Sequence, residues 1–332
     1  MKPTSLLQQM KSLKEKIEAR ENGLLLYSFA PPKISTDAEK LQVIAGKQTD
    51  RINNLAIDGL ILYDIQDESH RTNEQRTFPF IQTVAPEEYF RNYLSNINVP
   101  SIIYKSIANQ TKESFNDWLC KNNDLSNFVF VGASSSAQVA ETNFALTDAY
   151  DLRKDLHNHL MLGGITIPER HSKKGDEHKR IFSKTESGCS FFVSQCVYNV
   201  YESKNLLSDY YYDSVDNNYE LKPIFFTLSP CGSIKTLEFM KWLGIEVPKW
   251  LYNDLRHAKD ILDTSIKTSI LIANELIDFA ASKNIPVGFN VESISNKKDE
   301  IDAATEILHA IAGRLKQNKI KLTEEVVTVA EV

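Results

Sequence analysis

One segment of the 332-residue chain, residues 163–199, holds side chains suited to binding a polar ring. Glu169 and His171 follow one β-type run, and Gln195 lies in the next, with a charged helical stretch between them. A carboxylate and an imidazole at one edge of a sheet could bind a polar ligand, and a Gln amide could pair with an amide-bearing ring. The spacing equally fits an ion pair between Glu169 and Arg170, with Gln195 bonded to a neighbouring backbone group.

An acidic group follows the second β-type run. It comprises Asp64, Asp67 and Glu68. A carboxyl group can act as a general acid where burial raises its pKa towards neutrality. Acids clustered in a turn are also commonly solvated, so the pattern leaves both interpretations open.

Two further motifs are less specific. His157 and His159 are close in sequence, but no other ligand lies at metal-binding spacing, so we predict no metal site. Residues 132–138 form a small-residue loop that opens a helix, which could be an anion nest. This loop matches neither the dinucleotide-binding fingerprint nor a P-loop.

Short apolar runs alternate with helical patterns along the whole chain. The runs are continuously apolar, as strands buried on both faces are, and span residues 24–30, 57–64, 99–105, 127–133, 160–168, 189–197, 223–229 and 285–293. Eight strands, each followed by a helix, predict a closed (β/α)8 TIM barrel of the α/β class rather than an open doubly wound sheet. No linker or repeat divides the chain, so we predict one domain over residues 1–332.

Helices are predicted between and around these strands. Those within the barrel span residues 36–52, 86–94, 111–122, 137–158, 175–187, 232–243 and 258–283. Residues 1–21 predict an additional amphipathic helix on the outside of the fold. The last helix carries an apolar stripe from Ile301 to Leu315. The tail, residues 321–332, could be a strand, a partner contact or disordered.

The chemistry of a TIM barrel occurs at the carboxyl ends of its strands. The polar and small residues predicted at those ends are Ser28, Asp64, Tyr104, Gly132, Glu169, Gln195, Ser229, Asn290 and Glu292.

The composition argues against nucleic acid and membranes as partners. The net charge of −6 argues against sequence-independent nucleic-acid binding, and no apolar run is long enough to cross a bilayer. The four cysteines show neither a CxxC pair nor zinc-ribbon spacing, which predicts reduced thiols and a cytoplasmic protein. Apolar stripes on residues 3–21 and 258–283 could meet a second subunit in a homo-oligomer.

Four segments together resemble the methylenetetrahydrofolate reductase family. Residues 27–32, Tyr-Ser-Phe-Ala-Pro-Pro, resemble its strand-one run of aromatic, Glu, two aromatics and two prolines. Residues 163–171 are similar to its strand-five segment, and residues 184–195 to its Lys–x–x–x–Gly–Ala … Thr–Gln segment. Residues 223–251 are similar to its strand-seven region, including the Val-Pro-x-Trp ending. The resemblance extends from about residue 24 to 310.

The resemblance implies a (β/α)8 barrel with FAD across the carboxyl ends of its strands. It implies reduction of 5,10-methylenetetrahydrofolate to 5-methyltetrahydrofolate with NADH or NADPH, in one-carbon and methionine metabolism. By matching positions, Gln195 contacts the folate pterin and Glu169 also binds substrate. The residues implied to lie beside the flavin are His171, Lys184, Glu177, Tyr104, Gly132 and Ala133.

Several positions depart from the family's pattern. Ser28 replaces the strand-one Glu, Ile61 a Thr and Tyr104 a His, while the strand-four Arg-Gly-Asp becomes Val131-Gly132-Ala133. A hydroxyl of ordinary pKa cannot replace a carboxylic acid as proton donor. We therefore predict a catalytic group of Ser28, Glu169 and a relocated acid, Asp64. The alternatives are a methyl transferase on the same barrel, or a non-catalytic protein that binds folate or flavin.

Overall fold

The computed structural model describes residues 11–67, 76–132, 140 and 142–330, with side chains up to residue 318 in the last helix. Eight parallel strands pair in chain order, and the last pairs with the first to close a barrel. They are β1 Leu25–Phe29, β2 Gly59–Leu62, β3 Ser101–Ser106, β4 Asn127–Val131, β5 Met161–Thr166, β6 Cys189–Cys196, β7 Ile224–Leu228 and β8 Val287–Glu292. The predicted (β/α)8 barrel is confirmed.

Helices follow the strands around the outside of the barrel. In the described residues they are α1 Leu13–Glu18, α2 Ala38–Asn53, α3 Pro86–Tyr93, α4 Lys112–Lys121, α5 Leu146–Leu156, α6 Pro168–Lys174, α7 Glu177–Glu186, α8 Val200–Asn217, α9 Ile234–Trp242, α10 Lys249–His257, α11 Ile261–Ala281 and α12 Lys298–Ala330. None of them is long and apolar enough to span a membrane.

Two short helices differ from the sequence-based expectation. The segment that contains Glu169 and His171 was expected as a loop, but it forms α6 with Pro168 at its first turn. Pro suits that position because its missing N–H would have no helical partner there. Gly175 ends α6 in the left-handed region, at φ 64°. Residues 249–257 form α10, which the sequence pattern did not predict.

The two ends of the chain also differ from expectation. Leu13 and Ile17 of α1 pack in the same cluster as the barrel-interior residue Leu26. Lys16 Nζ lies 2.6 Å from Asp58 Oδ1 just before β2, so α1 closes the amino-terminal end of the barrel instead of covering its outside. At the other end, α12 continues through residues 321–330, for which the sequence left a strand as one alternative.

Side chains along each strand alternate between two apolar layers. Leu26 and Ile61 fill the barrel interior, whereas Tyr27 and Leu60 pack between the strands and the helices. Because the period of a strand is two residues, Ser28 is the next inward-facing residue of β1 after Leu26. The interior therefore changes from apolar to polar at the carboxyl end of the barrel.

Candidate functional site

A hydrogen-bonded polar layer crosses the barrel at its carboxyl end, with Tyr63 at its centre. The Tyr63 hydroxyl accepts hydrogen bonds from Ser28 Oγ at 3.1 Å and from Asn290 Nδ2 at 3.0 Å. Asn290 Nδ2 also donates to Thr227 Oγ1 at 3.2 Å. Asn290 Oδ1 is buried without a partner in the described part of the chain, so this layer has an unused acceptor.

Glu292 is the acid of this layer. It ends β8, and the pairing of β1 with β8 sets it directly beside Ser28. Burial raises the pKa of Glu292 to about 7, although its hydrogen bond from Tyr63 acts to lower it. A partly exposed carboxyl group with this pKa is divided between its protonated and ionised forms at neutral pH, which suits it to donate a proton.

The sequence predicts Asp64 as the proton donor, but in the structure Asp64 bonds to residues outside the Tyr63 layer. Its carboxylate accepts hydrogen bonds from the backbone N–H of Ser106 at 2.9 Å and from Gln66 Nε2 at 2.7 Å. Burial raises the pKa of Asp64, and both hydrogen bonds oppose that shift. Asp64 therefore links β2 to β3, and the geometry favours Glu292 as the proton donor. Glu68 lies outside the described residues.

Glu169 presents an unpartnered carboxyl group. The residue is only 4% exposed, and neither of its carboxylate oxygens has a hydrogen-bond partner in the described part of the chain. Burial raises its pKa to about 7, although the backbone N–H groups of Glu169 and Glu246 lie close enough to act to lower it. The alternative of a Glu169–Arg170 ion pair is not what forms, because Arg170 contacts Glu177 Oε2 at 3.3 Å. A buried polar group without a partner is costly, which identifies Glu169 as a candidate ligand contact.

A cavity of about 250 Å³ lies against Glu169. Its lining residues are Glu169, Lys173, Lys241, Gly244, Ile245, Glu246 and Val247. Gln195 Nε2 donates to the carbonyl of Leu243 at 2.8 Å, so it bonds to a backbone group, as one of the sequence alternatives held. Glu169 and Gln195 thus both border the segment from residue 243 to 247, which follows α9. The structure brings these two predicted substrate contacts to the same short segment, with Glu169 lining the cavity and Gln195 bonded to the residue just before its lining.

A second cavity of the same volume, about 250 Å³, lies at the opposite end of the barrel. Its lining includes Gly23, Asp58 and Lys316. Asp58 is already bonded to Lys16 and to the backbone N–H of Leu25. This end lacks a buried carboxyl of the Glu169 kind among the described residues, so the carboxyl end of the barrel is the better candidate site.

Three residues predicted to contact flavin are instead bonded to other groups of the protein. Lys184 Nζ donates to the carbonyl of Ile165, and burial lowers the pKa of this lysine. Glu177 is fully buried and accepts from the backbone N–H of Ile167 at 2.9 Å. His171 Nε2 lies 3.1 Å from Asp209 Oδ2.

The other predicted flavin contacts lie around the polar layer. Tyr104 is buried, with its ring 4.9 Å from that of Tyr63 in an edge-to-face arrangement. Gly132 follows β4, and Ala133 lies outside the described residues. Since Lys184 and Glu177 are bonded to the backbone of Ile165 and Ile167 at the end of β5, the predicted set does not fit a flavin-binding surface.

A solved structure matches this chain with a TM-score of 0.78 and 44% sequence identity, covering 89% of this chain and 97% of the other. It is that of an uncharacterized protein from Clostridium thermocellum that binds two copies of 5-methyl-5,6,7,8-tetrahydrofolic acid. At this identity and coverage the match extends well beyond a shared architecture.

Other solved barrels are more distant. The 7,8-dihydropteroate synthase of Vibrio fischeri matches with a TM-score of 0.43 and 10% identity over 90% of this chain and 95% of the other. A GH113 β-1,4-mannanase matches with a TM-score of 0.45 and 13% identity over 87% and 98%. Neither carries a functional argument. No protein-family model and no curated protein matches the chain.

Proposed function

The chain belongs to the family of the Clostridium thermocellum barrel protein, and we propose on that basis that it binds a reduced folate of the 5-methyltetrahydrofolate type. The observation that carries the proposal is the unpartnered Glu169 carboxyl on the wall of the cavity. The pterin ring of folate carries an amino group and a ring N–H side by side. An ionised carboxylate can accept one hydrogen bond from each.

Gln195 supports this assignment from its place next to the cavity lining. Its bond to Leu243 uses the amide nitrogen and leaves the amide oxygen to accept from the ring. Lys173 and Lys241 line the cavity and could pair with the carboxylates of the folate glutamate. The cavity thus combines acceptors for a pterin with cations for an acidic tail.

The finer proposal is the reduction of 5,10-methylenetetrahydrofolate to 5-methyltetrahydrofolate with NADH or NADPH. In this reaction the methylene carbon gains a hydride and its bond to N10 breaks, while N10 takes a proton. The contribution of this chain is the proton. Glu292 supports that role because its pKa is about 7 and it stands beside Ser28 at the end of the barrel.

A second candidate, methyl transfer, is favoured because Lys184 and Glu177 are bonded to the backbone of Ile165 and Ile167 rather than free to contact a flavin. Here the bond between N5 of 5-methyltetrahydrofolate and its methyl carbon breaks, and an external nucleophile such as a thiolate takes the methyl group. N5 keeps the electron pair and takes a proton. Glu292 could supply that proton without any bound flavin.

Calorimetric titration of the purified protein with 5-methyltetrahydrofolate tests the folate proposal. Saturable binding is expected, and the titration also gives the number of sites. No saturable binding at any accessible concentration would contradict it.

A separate assay distinguishes the two reactions. The reductase proposal predicts that reduced-nicotinamide absorbance falls when 5,10-methylenetetrahydrofolate is added, and that Glu292→Gln slows the fall by about 100-fold, as expected for a lost general acid. The visible spectrum of the same sample reports any bound flavin. A protein that binds 5-methyltetrahydrofolate but leaves NADH and NADPH unchanged would contradict the reductase and favour methyl transfer.

A further inference from the structure

Two buried histidines and an aspartate meet outside the folate cavity, where α6, α7 and α8 pack together. We propose that His171, His178 and Asp209 bind a divalent transition-metal ion such as Zn²⁺. One ligand atom of each residue lies within 4.8 Å of the others. The three residues come from three successive helices, so an ion bound to them would crosslink that side of the barrel.

The geometry is close to that of a metal centre. His171 Nε2 lies 3.1 Å from Asp209 Oδ2, and the two imidazole rings are 5.3 Å apart at 81°. Tetrahedral ligands at about 2.0–2.1 Å from Zn²⁺ lie roughly 3.4 Å from each other. Closing from 4.8 Å to that separation requires side-chain movements of about one ångström.

The burial of the two rings is an independent sign of a missing partner. His171 is 5% exposed and His178 is 6% exposed. In the part of the chain that the structure describes, the Nδ1 atoms of both rings are buried without a hydrogen-bond partner. A histidine binds a metal through one ring nitrogen, so the ion would use Nδ1 where Nε2 keeps its carboxylate, or Nε2 where the ion replaces that contact. The packing encloses two rings and leaves each of them only partly satisfied.

A fourth donor stands next to the cluster. Asp213 Oδ2 lies 3.6 Å from His178 Nε2, one helical turn beyond Asp209 on α8. It could complete the coordination sphere or orient His178 from behind. Two imidazoles with one or two carboxylates are a donor set typical of zinc.

The metal site would also act on the folate site through α6. His171 lies two residues after Glu169 on that helix, and both side chains are buried. An ion that ties α6 to α7 and α8 would hold the backbone that carries the Glu169 carboxyl. The two sites are nevertheless chemically separate, so the metal proposal does not rest on the folate proposal.

The test uses the full-length protein, freed of metal with a chelator and titrated with Zn²⁺ and with Co²⁺ in the absence of folate. One equivalent of Zn²⁺ is expected to bind at micromolar concentrations or below. Co²⁺ is expected to give the visible absorption of a four-coordinate site with nitrogen and oxygen ligands. Each of His178→Gln and Asp209→Asn should weaken Zn²⁺ binding at least about tenfold, as loss of a ligand does.

One control variant and one exposed test position keep the test decisive. His159→Gln removes a histidine outside the cluster and should bind Zn²⁺ as the wild type does. The Asp209 side chain is 54% exposed, so Asp209→Asn is informative even if a histidine variant fails to fold. No Zn²⁺ binding to the wild type, or undiminished binding to Asp209→Asn and His178→Gln, would overturn the proposal.

Discussion

Glu169 and Glu292 reach a similar pKa, about 7, in unlike surroundings. Glu292 stands in a hydrogen-bonded layer and receives the hydroxyl proton of Tyr63 in a hydrogen bond. Glu169 has no partner for either oxygen among the described residues. The surroundings of Glu292 suit a group that exchanges a proton. Those of Glu169 suit a group that accepts hydrogen bonds from a bound ligand.

The unpartnered Glu169 should make the protein less stable as the pH rises. Its folded-state pKa is about 7, above the ordinary value of 4.5, so the folded protein keeps a proton that the unfolded chain has released between these values. The free energy of unfolding should therefore fall from pH 5 to pH 8, by up to about 3 kcal/mol from this group. Glu169→Gln should remove that part of the decline.

Urea unfolding of the ligand-free protein at the two pH values measures this effect. Glu186→Gln, at the exposed end of α7, is the control and should keep the wild-type dependence. If Glu169→Gln loses as much stability as the wild type between pH 5 and pH 8, Glu169 does not carry a raised pKa.

Tyr63 should hold the Glu292 pKa down. Its hydrogen bond favours the ionised carboxylate, so Tyr63→Phe should raise the Glu292 pKa above about 7. Carboxyl carbon NMR of labelled protein across a pH series would measure the change. Tyr104→Phe is the matched control because its ring packs against Tyr63 in the same layer. A lower Glu292 pKa in Tyr63→Phe would contradict the assigned hydrogen bond.

At the scale of helices and strands, the apolar runs were enough to predict the barrel, since parallel strands buried on both faces have a composition of their own. Short helices were harder to predict. The segment Pro168–Lys174 makes only about two turns, too few for an apolar period to separate it from a loop. The long α12 was predicted only as far as its apolar stripe from Ile301 to Leu315, because the polar residues 316–319 interrupt that stripe.

The candidate site was predictable only where local sequence is enough to place a residue. Gln195 and Glu169 follow from their places at neighbouring strand ends, which local sequence reveals. Glu292 could be noted at the end of β8, but its pairing with Ser28 depends on closure between the first and last strands. That pairing joins residues from opposite ends of the chain, and no local pattern encodes it. Asp64 was predicted as the acid because the local sequence shows a carboxyl group there. It does not show the hydrogen bond that Asp64 accepts from the backbone of β3.

The seam where β8 pairs with β1 to close the barrel has room only for glycine at position 288. A Cβ on Gly288 would lie 2.6 Å from the carbonyl oxygen of Leu24 and 2.7 Å from Phe225 Cδ1. Gly288→Ala should therefore cost about 1–3 kcal/mol of unfolding free energy, as overpacking of a core does. It should also weaken folate binding, because the seam carries Glu292.

Denaturant unfolding with Gly46→Ala as the control measures this cost. Gly46 lies within α2, and a Cβ there would meet nothing within 4 Å. That substitution should stabilise the protein by about 0.5–1 kcal/mol, since Ala is the better helix former. A Gly288→Ala protein as stable as the wild type would show that the seam is looser than these contacts imply.

At the scale of the whole molecule, the barrel has one closed end and one open end. Helix α1 closes the amino-terminal end with Leu13 and Ile17. The carboxyl end holds the polar layer and the cavity beside Glu169. Helix α6 connects that cavity to the histidine cluster on the outside. The proposed folate site thus lies at one end of the barrel and the proposed metal site on its side.

The most direct test of the central claim is a calorimetric comparison of 5-methyltetrahydrofolate binding by the wild type, Glu169→Ala and Lys316→Ala at neutral pH. Lys316 lines the cavity at the opposite end of the barrel and serves as the matched control. Loss of a charged acceptor should weaken at least one binding event by about 10- to 100-fold in Glu169→Ala, whereas Lys316→Ala should bind as the wild type does. Equal affinities for the wild type and Glu169→Ala, or a loss confined to Lys316→Ala, would contradict a folate site at the carboxyl end of the barrel.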